Sequence, residues 1–397
     1  MLDDVKVLSF THYLQGPAAV QILGDLGADV IKIERPEGAY ERHWSGGESF
    51  LRGESMFYLL AGRNQRSLAI DIRSDAGKEI IWDLVGSADV VVENFRPGVM
   101  ERLGFGYEAV AAVNPSIVYC SLTGYGSDGP YRDKPGQDML IQALSGLAMQ
   151  TGRADTPPTP VGSAVVDQHA AVWGALGVLA ALHRRRRTGK GGKVDSNLFS
   201  AALDLQIEPL NYHLNGTKLY DRSPSGISSR FHQAPYGVFA TSDDWVCLSL
   251  NDMKTMAAAF DDAEMAEWTK DDQFRRREEV NSRIADHLRA KPLTHWKTVF
   301  DELGVWYAPV NDYDAIEDDP QVAHNESVLS FEHPRAGEVR VLGHPVKYDG
   351  HTPGIDRIPP SLGEHTAEIL RDLGRSDNEI EELVKGKVVG GSSPAEP

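Results

Sequence analysis

An acidic residue, Asp167, stands at the mouth of an apolar helical segment and follows Pro160-Val161-Gly162-Ser163. Aspartate is a favoured helix cap, so the position first reads as an N-cap whose side chain accepts a backbone N–H. A chemical reading is compatible with that one. Peptide N–H groups and the positive end of a helix dipole favour a carboxylate, so a partly buried aspartate there is expected to stay ionised near neutral pH and to serve as a nucleophile. The other patterns are weaker. Gly124, Gly126 and Gly129 spell G-x-G-x-x-G after a strand, but Pro130 and Pro135 follow, where a dinucleotide fingerprint needs a helix to receive pyrophosphate. The segment Gly189 to Lys193 lacks the spacing and the hydroxyl of a phosphate-binding P-loop. No two of the thirteen histidines have the i,i+4 spacing of a helical zinc site, and no G-x-S-x-G elbow occurs.

The elements that must position Asp167 alternate in type. Val5 to Phe10 reads as a strand, Ala19, Ile22, Leu23 and Leu26 recur at helical spacing, and Ala28 to Ile33 reads as a second strand. Strands at Ser67–Ile72, Ala88–Glu93 and Ser116–Leu122, with a helix at Ala76–Val85, continue the series and predict a mainly parallel sheet covered on both faces. An apolar helix over Asp167–Arg184 ends in Arg184 to Arg187, cations that suit the negative end of a helix dipole. Its apolar stretch, Ala170 to Leu182, reads as a core segment too short to span a bilayer. After a boundary at Arg222–Ser229, Gly237–Leu250 reads as two short strands and Met253–Phe300 as helical, a smaller α+β domain. From His333 the chain reads as loop-rich until helices at Glu364–Leu373 and Asn378–Val384, and the tail from Gly390 as frayed.

Composition excludes several classes. The 397 residues are 41% hydrophobic and 25% charged, an ordinary globular balance that is neither collagenous nor wholly disordered. With 58 acidic against 40 basic residues, the formal charge of -18 repels nucleic acid and anionic lipid, so neither is an expected partner. The two cysteines, Cys120 and Cys247, lie in apolar runs and predict no disulfide framework; with an N-terminus unlike a signal peptide, they lead to an expectation of a cytoplasmic protein.

Ordered motifs then carry a likeness. Gly27-Ala28-Asp29-Val30-Ile31-Lys32-Ile33-Glu34-Arg35-Pro36, Asn64 with Arg66-Ser67, Glu93-Asn94-Phe95-Arg96-Pro97-Gly98 and Leu103-Gly104 are followed by Pro135-Gly136-Gln137-Asp138, Asp167, Arg187-Thr188-Gly189, Val194-Asp195, Pro235-Tyr236-Gly237 and Leu362-Gly363-Glu364-His365-Thr366. Over nearly its whole length the chain resembles the class III coenzyme A transferases, a superfamily that also holds α-methylacyl-CoA racemase. The resemblance implies an α/β, Rossmann-like large domain with a smaller α+β domain, in a homodimer of two interlocked chains. The expected division is a CoA-binding domain at 1–200, a linker at 201–228, a small domain at 229–330, and a return segment at 331–397 that packs on the large domain.

The same resemblance implies roles. Asp167 matches an aspartate that attacks an acyl-CoA thioester, with Gln137 and Asp138 beside it in the site. Leu14 and Gln15 match a segment near the thiol end of CoA, and Arg35 matches a contact to its adenosine diphosphate part. Ile70, Ile72 and Arg73, and Asn94, Phe95 and Arg96, match two further contact loops, and Arg102 matches a phosphate-contacting arginine. Guanidinium groups suit phosphate because they offer several donors on a delocalised charge; Arg73 and Arg96 also fit plain exposed loop charges. The implied substrates are acyl-CoA and a free carboxylic acid, with no permanently bound cofactor or metal. Gln137 stands where the racemases have a histidine and many transferases a tyrosine. An amide does not ionise near neutral pH and so cannot act as the acid/base partner, which favours transfer over the alternative, an acyl-CoA racemase. His169, two residues after Asp167 on a helix, points away from it.

Overall fold

The computed structural model describes residues 1–225 and 229–390. Six strands, β1 (Lys6–Phe10), β2 (Asp29–Glu34), β3 (Gln65–Ala69), β4 (Val90–Glu93), β5 (Val118–Thr123) and β6 (Gly192–Asn197), form one sheet in the order β3-β2-β1-β4-β5-β6. Every neighbouring pair is parallel. β4 and β5 are buried at every position, as strands covered on both faces must be. The order reverses between β1 and β4, and such a switch point opens a crevice at the carboxyl ends of the strands.

Helices α1 (Gln15–Asp25), α2 (Asp75–Ser87), α3 (Val99–Leu103), α4 (Asp138–Leu144) and α5 (Val165–Thr188) follow along the chain. Strand alternation sorts the core into two layers. Val7, Val90 and Val92 pack with α1 and α5 through Ala19, Leu23, Ala171 and Ala175, while Leu8, Ile31 and Val91 pack with Ile80, Ile81 and Leu84 of α2. α5 is longer than the sequence reading had it: at 24 residues it is long and apolar enough to cross a membrane by length and composition alone. Small residues on one stripe let it lie close to the sheet, and a Cβ added to Gly174 would stand 2.7 Å from the Leu122 side chain. Its terminal arginines are engaged locally: Arg184 donates to the Gly191 carbonyl, Arg185 pairs with Asp89 and Arg186 with Asp4.

The chain divides into two compact units, one of Met1–Ile141, Ala164–Ala201 and Pro320–Pro397, the other of Gln142–Ser163 and Ala202–Asp319. Residues 142–163, which the sequence division left in the large domain, group with the second unit for a visible reason. The Gln142 side chain bonds to the backbone of Val161 and Ser163, Gln206 donates to the Ser145 carbonyl, and Arg222 donates to the carbonyls of Thr151, Thr156 and Pro157. The second unit holds an antiparallel sheet of β7 (Tyr236–Ala240), β8 (Trp245–Ser249) and β9 (Tyr307–Pro309), in the order β9-β8-β7. Helices α6 (Met253–Phe260), α7 (Arg277–Arg289) and α8 (Leu293–Leu303) supply Met256, Ile284, Leu288 and Phe300 to its core. The single helical reading of 253–300 is thus divided, by the left-handed Asp261, by the Thr269 capping box and by Pro292.

In the first unit the return segment also departs from its reading as loop. β10 (Val328–His333) and β11 (Gly337–Leu342) form an antiparallel hairpin, with Val339 and Val341 buried between exposed Glu338 and Arg340. Two helices, α9 (Thr366–Asp372) and α10 (Asp377–Lys385), then pack Ile369, Leu370 and Ile380 against the sheet. Several motif residues hold this return in place. Arg66 pairs with Asp29 in β2 and with Glu368 and Asp372 of α9, while Asn64 bonds Asp25 and accepts from the backbone of Asp356 and Arg357. Ser67 donates to Glu34 and accepts from the Gly363 N–H. The buried Glu34 carboxyl stays below its usual range despite burial, because the Arg42 guanidinium grips it at 2.6 and 2.7 Å. Of the tail read as frayed, residues 391–397 lie outside the described residues, as do residues 226–228 of the boundary read at 222–229.

Candidate active site

Asp167 occupies the third position of α5, and the helix cap is Ala164, which offers no side chain to the exposed N–H groups. Asp138 fills that need from a distance. Its Oδ2 accepts the N–H of Val166 at 2.7 Å and of Asp167 at 3.0 Å. The capping role expected of Asp167 therefore belongs to Asp138, and the donors expected to stabilise the Asp167 carboxylate are already taken. Burial, and next the charge of Asp138, push the Asp167 carboxyl up to about 7. It is thus divided between acid and carboxylate near neutral pH, rather than held fully ionised as the sequence reading had it.

The loop that delivers Asp138 is closed by two glycines. A Cβ on Gly124 would lie 2.9 Å from the Gly136 Cα, and one on Gly136 would lie 2.7 Å from the Gly124 Cα, so both positions must lack a side chain. Gly124 follows β5 and Gly136 precedes Gln137 and Asp138, so the contact draws the start of α4 to the carboxyl end of the sheet. The G-x-G-x-x-G spacing opens no helix here; its first glycine serves this backbone approach. Gln137 is exposed, and its carbonyl accepts the Ile141 N–H of α4. His169 accepts a hydrogen bond from the Trp173 indole at 3.0 Å.

A cleft of about 710 Å³ opens at the carboxyl ends of β1, β2, β3 and β4, on the crevice that the strand order creates. Of the residues assigned to CoA by resemblance, Arg35, Ile70, Ile72, Arg73, Phe95 and Arg96 line it. The three arginines are exposed and, among the described residues, make no ion pair or side-chain hydrogen bond. They are cations free to take an anion. Leu14, Gln15, Asn94 and Arg102 do not line this cleft, and neither do Asp167, Gln137 and Asp138.

Those four stand around it in other capacities. Asn94 clamps the loop after β1, its Oδ1 accepting the His12 N–H at 2.7 Å and its Nδ2 donating to the His12 carbonyl at 2.8 Å. Lys32 donates to the Thr11 carbonyl and pairs with buried Glu41 at 2.8 Å. Burial alone would raise the Glu41 carboxyl, but Lys32 and His12 hold it well below the usual range. Gly16 lies so close to this loop that a Cβ would stand 2.6 Å from the Thr11 Cβ and 2.8 Å from the Asn94 Cγ. Leu14 and Gln15 are consequently buried, and the Gln15 Nε2 has no hydrogen-bond partner. Arg102 lies on α3, with its guanidinium against Gly98.

Two features of the site were missed from sequence. The cleft wall includes Val384, Lys387, Val389 and Gly390, brought there because Val388 accepts the Asp71 N–H and Gly390 donates to the Ala69 carbonyl. Three hundred intervening residues hide that neighbourhood, and no local pattern marks it. The other is Glu93, whose Oε2 accepts the Phe95 N–H at 2.9 Å and braces the loop holding Phe95 and Arg96. Burial pushes its carboxyl up to about 7 against the opposing hydrogen bonds from Ser121 and the Phe95 N–H. Among the described residues no group of three or more His, Cys, Asp or Glu side chains could hold a metal ion.

Comparison with known proteins adds to this geometry. The model of CoA-transferase family III matches residues 2–366. The human protein named succinyl-CoA:glutarate CoA-transferase is 34% identical over 396 residues, covering 98% of this chain and 90% of its own. The succinyl-CoA--D-citramalate CoA-transferase of Chloroflexus aurantiacus is 32% identical over 399 residues, 98% of each chain. A crystal structure of a CAIB/BAIF family protein from Brucella suis superposes with a TM-score of 0.81 at 30% identity, covering 94% of this chain and 99% of that one.

Proposed function

Because the chain belongs to CoA-transferase family III, we propose that it transfers CoA from an acyl-CoA to a free carboxylic acid with Asp167 as the acyl carrier. The observation that carries this reading is the pairing of Asp138 with the start of α5, which leaves the Asp167 carboxylate free of N–H donors, while burial, and next the charge of Asp138, raise its basicity. The steps balance without a proton transfer. An Asp167 oxygen attacks the thioester carbonyl, the C–S bond breaks, and a mixed anhydride and CoA thiolate result. The thiolate attacks the aspartyl carbonyl, expelling the first carboxylate and leaving an aspartyl-CoA thioester. The acceptor carboxylate then attacks that carbonyl and expels the thiolate, which attacks the acceptor's acyl carbon and releases both the new acyl-CoA and the Asp167 carboxylate. Exclusion of water matters, because either activated aspartyl species hydrolyses.

The cleft at the strand ends is the proposed seat of the CoA nucleotide, with Arg35, Arg73 and Arg96 facing its phosphates. The Gln137 amide does not ionise near neutral pH and so supplies no second acid/base group, which supports transfer over racemisation. Small dicarboxylic acids are the proposed acyl groups, on the strength of the names of two relatives. A homodimer is also proposed. Val172, Trp173 and Leu176 form an exposed apolar stripe on α5, at 53%, 43% and 50% exposure, of the kind that a second chain covers. A matrix of acyl-CoA donors against carboxylate acceptors, read by mass spectrometry, tests the reading. Exchange of CoA in at least one donor–acceptor pair supports it; α-deuterium exchange without an acceptor, and no CoA exchange, would instead make the protein an isomerase.

A further inference from the structure

Lys387 lies two residues beyond α10 with its backbone in the left-handed region, φ 57°. Glycine occupies that conformation at least cost, because any Cβ crowds the following carbonyl. Here the glycine stands one position earlier, at Gly386 with an ordinary φ of -74°, and the lysine takes the strained place. A cation near a helix C-terminus complements the dipole, but Lys385, in the last turn and paired with Glu381 at 3.4 Å, already meets that need.

What the strained position achieves is placement. The segment after Lys387 is fastened to the end of β3: the Asp71 N–H donates to the Val388 carbonyl at 2.8 Å, Val389 bridges to Ile70, and the Gly390 N–H donates to the Ala69 carbonyl at 2.9 Å. This strap sets the exposed Lys387 on the wall of the cleft that Arg35, Arg73 and Arg96 also line. Among the described residues its ammonium has no ion pair and no hydrogen bond. In a chain of formal charge -18, four unpaired cations on one cleft are a local exception that calls for an anionic ligand.

We propose that Lys387 is a phosphate ligand of the CoA nucleotide, carried to the cleft by the C-terminal strap. The proposal rests on the reading of that cleft as the CoA site. The ammonium contributes a charge-assisted hydrogen bond to a phosphate oxygen, either of the diphosphate or of the ribose 3′-phosphate.

Calorimetric titration of the full chain with CoA and with dephospho-CoA, beside thermal melting, tests it. CoA should bind Lys387→Gln about ten-fold more weakly than wild type, and Lys387→Arg with nearly wild-type affinity. Lys387→Gly should melt higher than wild type, since it relieves the left-handed backbone, and still bind CoA as weakly as Lys387→Gln. A loss confined to CoA assigns the lysine to the 3′-phosphate, and an equal loss for dephospho-CoA assigns it to the diphosphate. Wild-type affinity in Lys387→Gln and Lys387→Gly, beside weakened binding by Arg96→Gln, overturns the role of Lys387 alone. Failure of wild type to bind CoA overturns the cleft assignment with it.

Discussion

The carboxylate of Asp138 accepts the backbone N–H of Asp167 at 3.0 Å, so that one acidic residue caps the helix whose first turn holds a second, the proposed acyl carrier. The division explains why two aspartates converge in a chain that must avoid like-charge contacts. Asp138 satisfies the helix end, and burial, with the charge of Asp138 added, gives Asp167 the basicity that the proposed attack on a thioester needs.

The first consequence is a pH profile. Attack requires the carboxylate, so kcat/KM should rise with pH through an apparent pKa near 7. Asp138→Asn keeps an oxygen to accept the Val166 and Asp167 N–H groups but removes the charge, and its profile should shift to lower pH. An unshifted profile in that variant would mean that burial alone sets the basicity of Asp167.

Stability should carry the same signature. The Asp167 carboxyl is raised from 3.8 to about 7, so between those values the folded protein holds a proton that the unfolded chain has released. Its stabilising contribution is full below 3.8 and is lost as pH rises to about 7. Asp167→Asn does not titrate, so chemical denaturation should show its stability advantage over wild type growing across that window and level above it.

The facing glycines give a steric prediction. Gly136→Val places a branched side chain where 2.7 Å separates the Cβ site from the Gly124 Cα, and should cost about 1–3 kcal/mol in denaturant unfolding. Because the displaced loop carries Asp138, turnover should fall further than CoA affinity does. Equal losses in both would place the damage elsewhere.

The cleft arginines should act on binding rather than on the chemical step. Arg35→Gln and Arg96→Gln should each weaken CoA about ten-fold, with the wild-type affinity falling as salt rises. In steady-state assays the change should appear in KM for the acyl-CoA and leave kcat nearly constant.

Much of this fold is legible in the sequence. The runs at 90–93, with three valines, and at 118–123, with Val118, Tyr119, Cys120 and Leu122, are strands buried at every position in a doubly covered sheet, and the order of strands and helices then leaves few topologies. Asp167 was marked by its place before an apolar helix. Its basicity was not legible, because that depends on burial in the folded chain and then on Asp138, twenty-nine residues away and brought near by a glycine contact. The motif residues Asn64, Arg66 and Ser67 were visible as a pattern, yet their work is to anchor a segment some three hundred residues further along, which spacing cannot reveal. The hairpin at 328–342 is a different kind of miss. The alternation of Glu338, Val339, Arg340 and Val341 carried a strand signal that the surrounding loop-like sequence obscured.

The central claim is that the acyl group and then CoA pass through the Asp167 side chain. The most direct measurement is to quench turnover with borohydride or hydroxylamine and to locate the modified residue by peptide mass spectrometry. The account predicts homoserine, or an aspartyl hydroxamate, at position 167 only when acyl-CoA is present, and none in Asp167→Ala, which should have lost turnover by more than about a thousand-fold while still binding CoA. An unmodified Asp167 peptide, or near-normal turnover in Asp167→Ala, would contradict it.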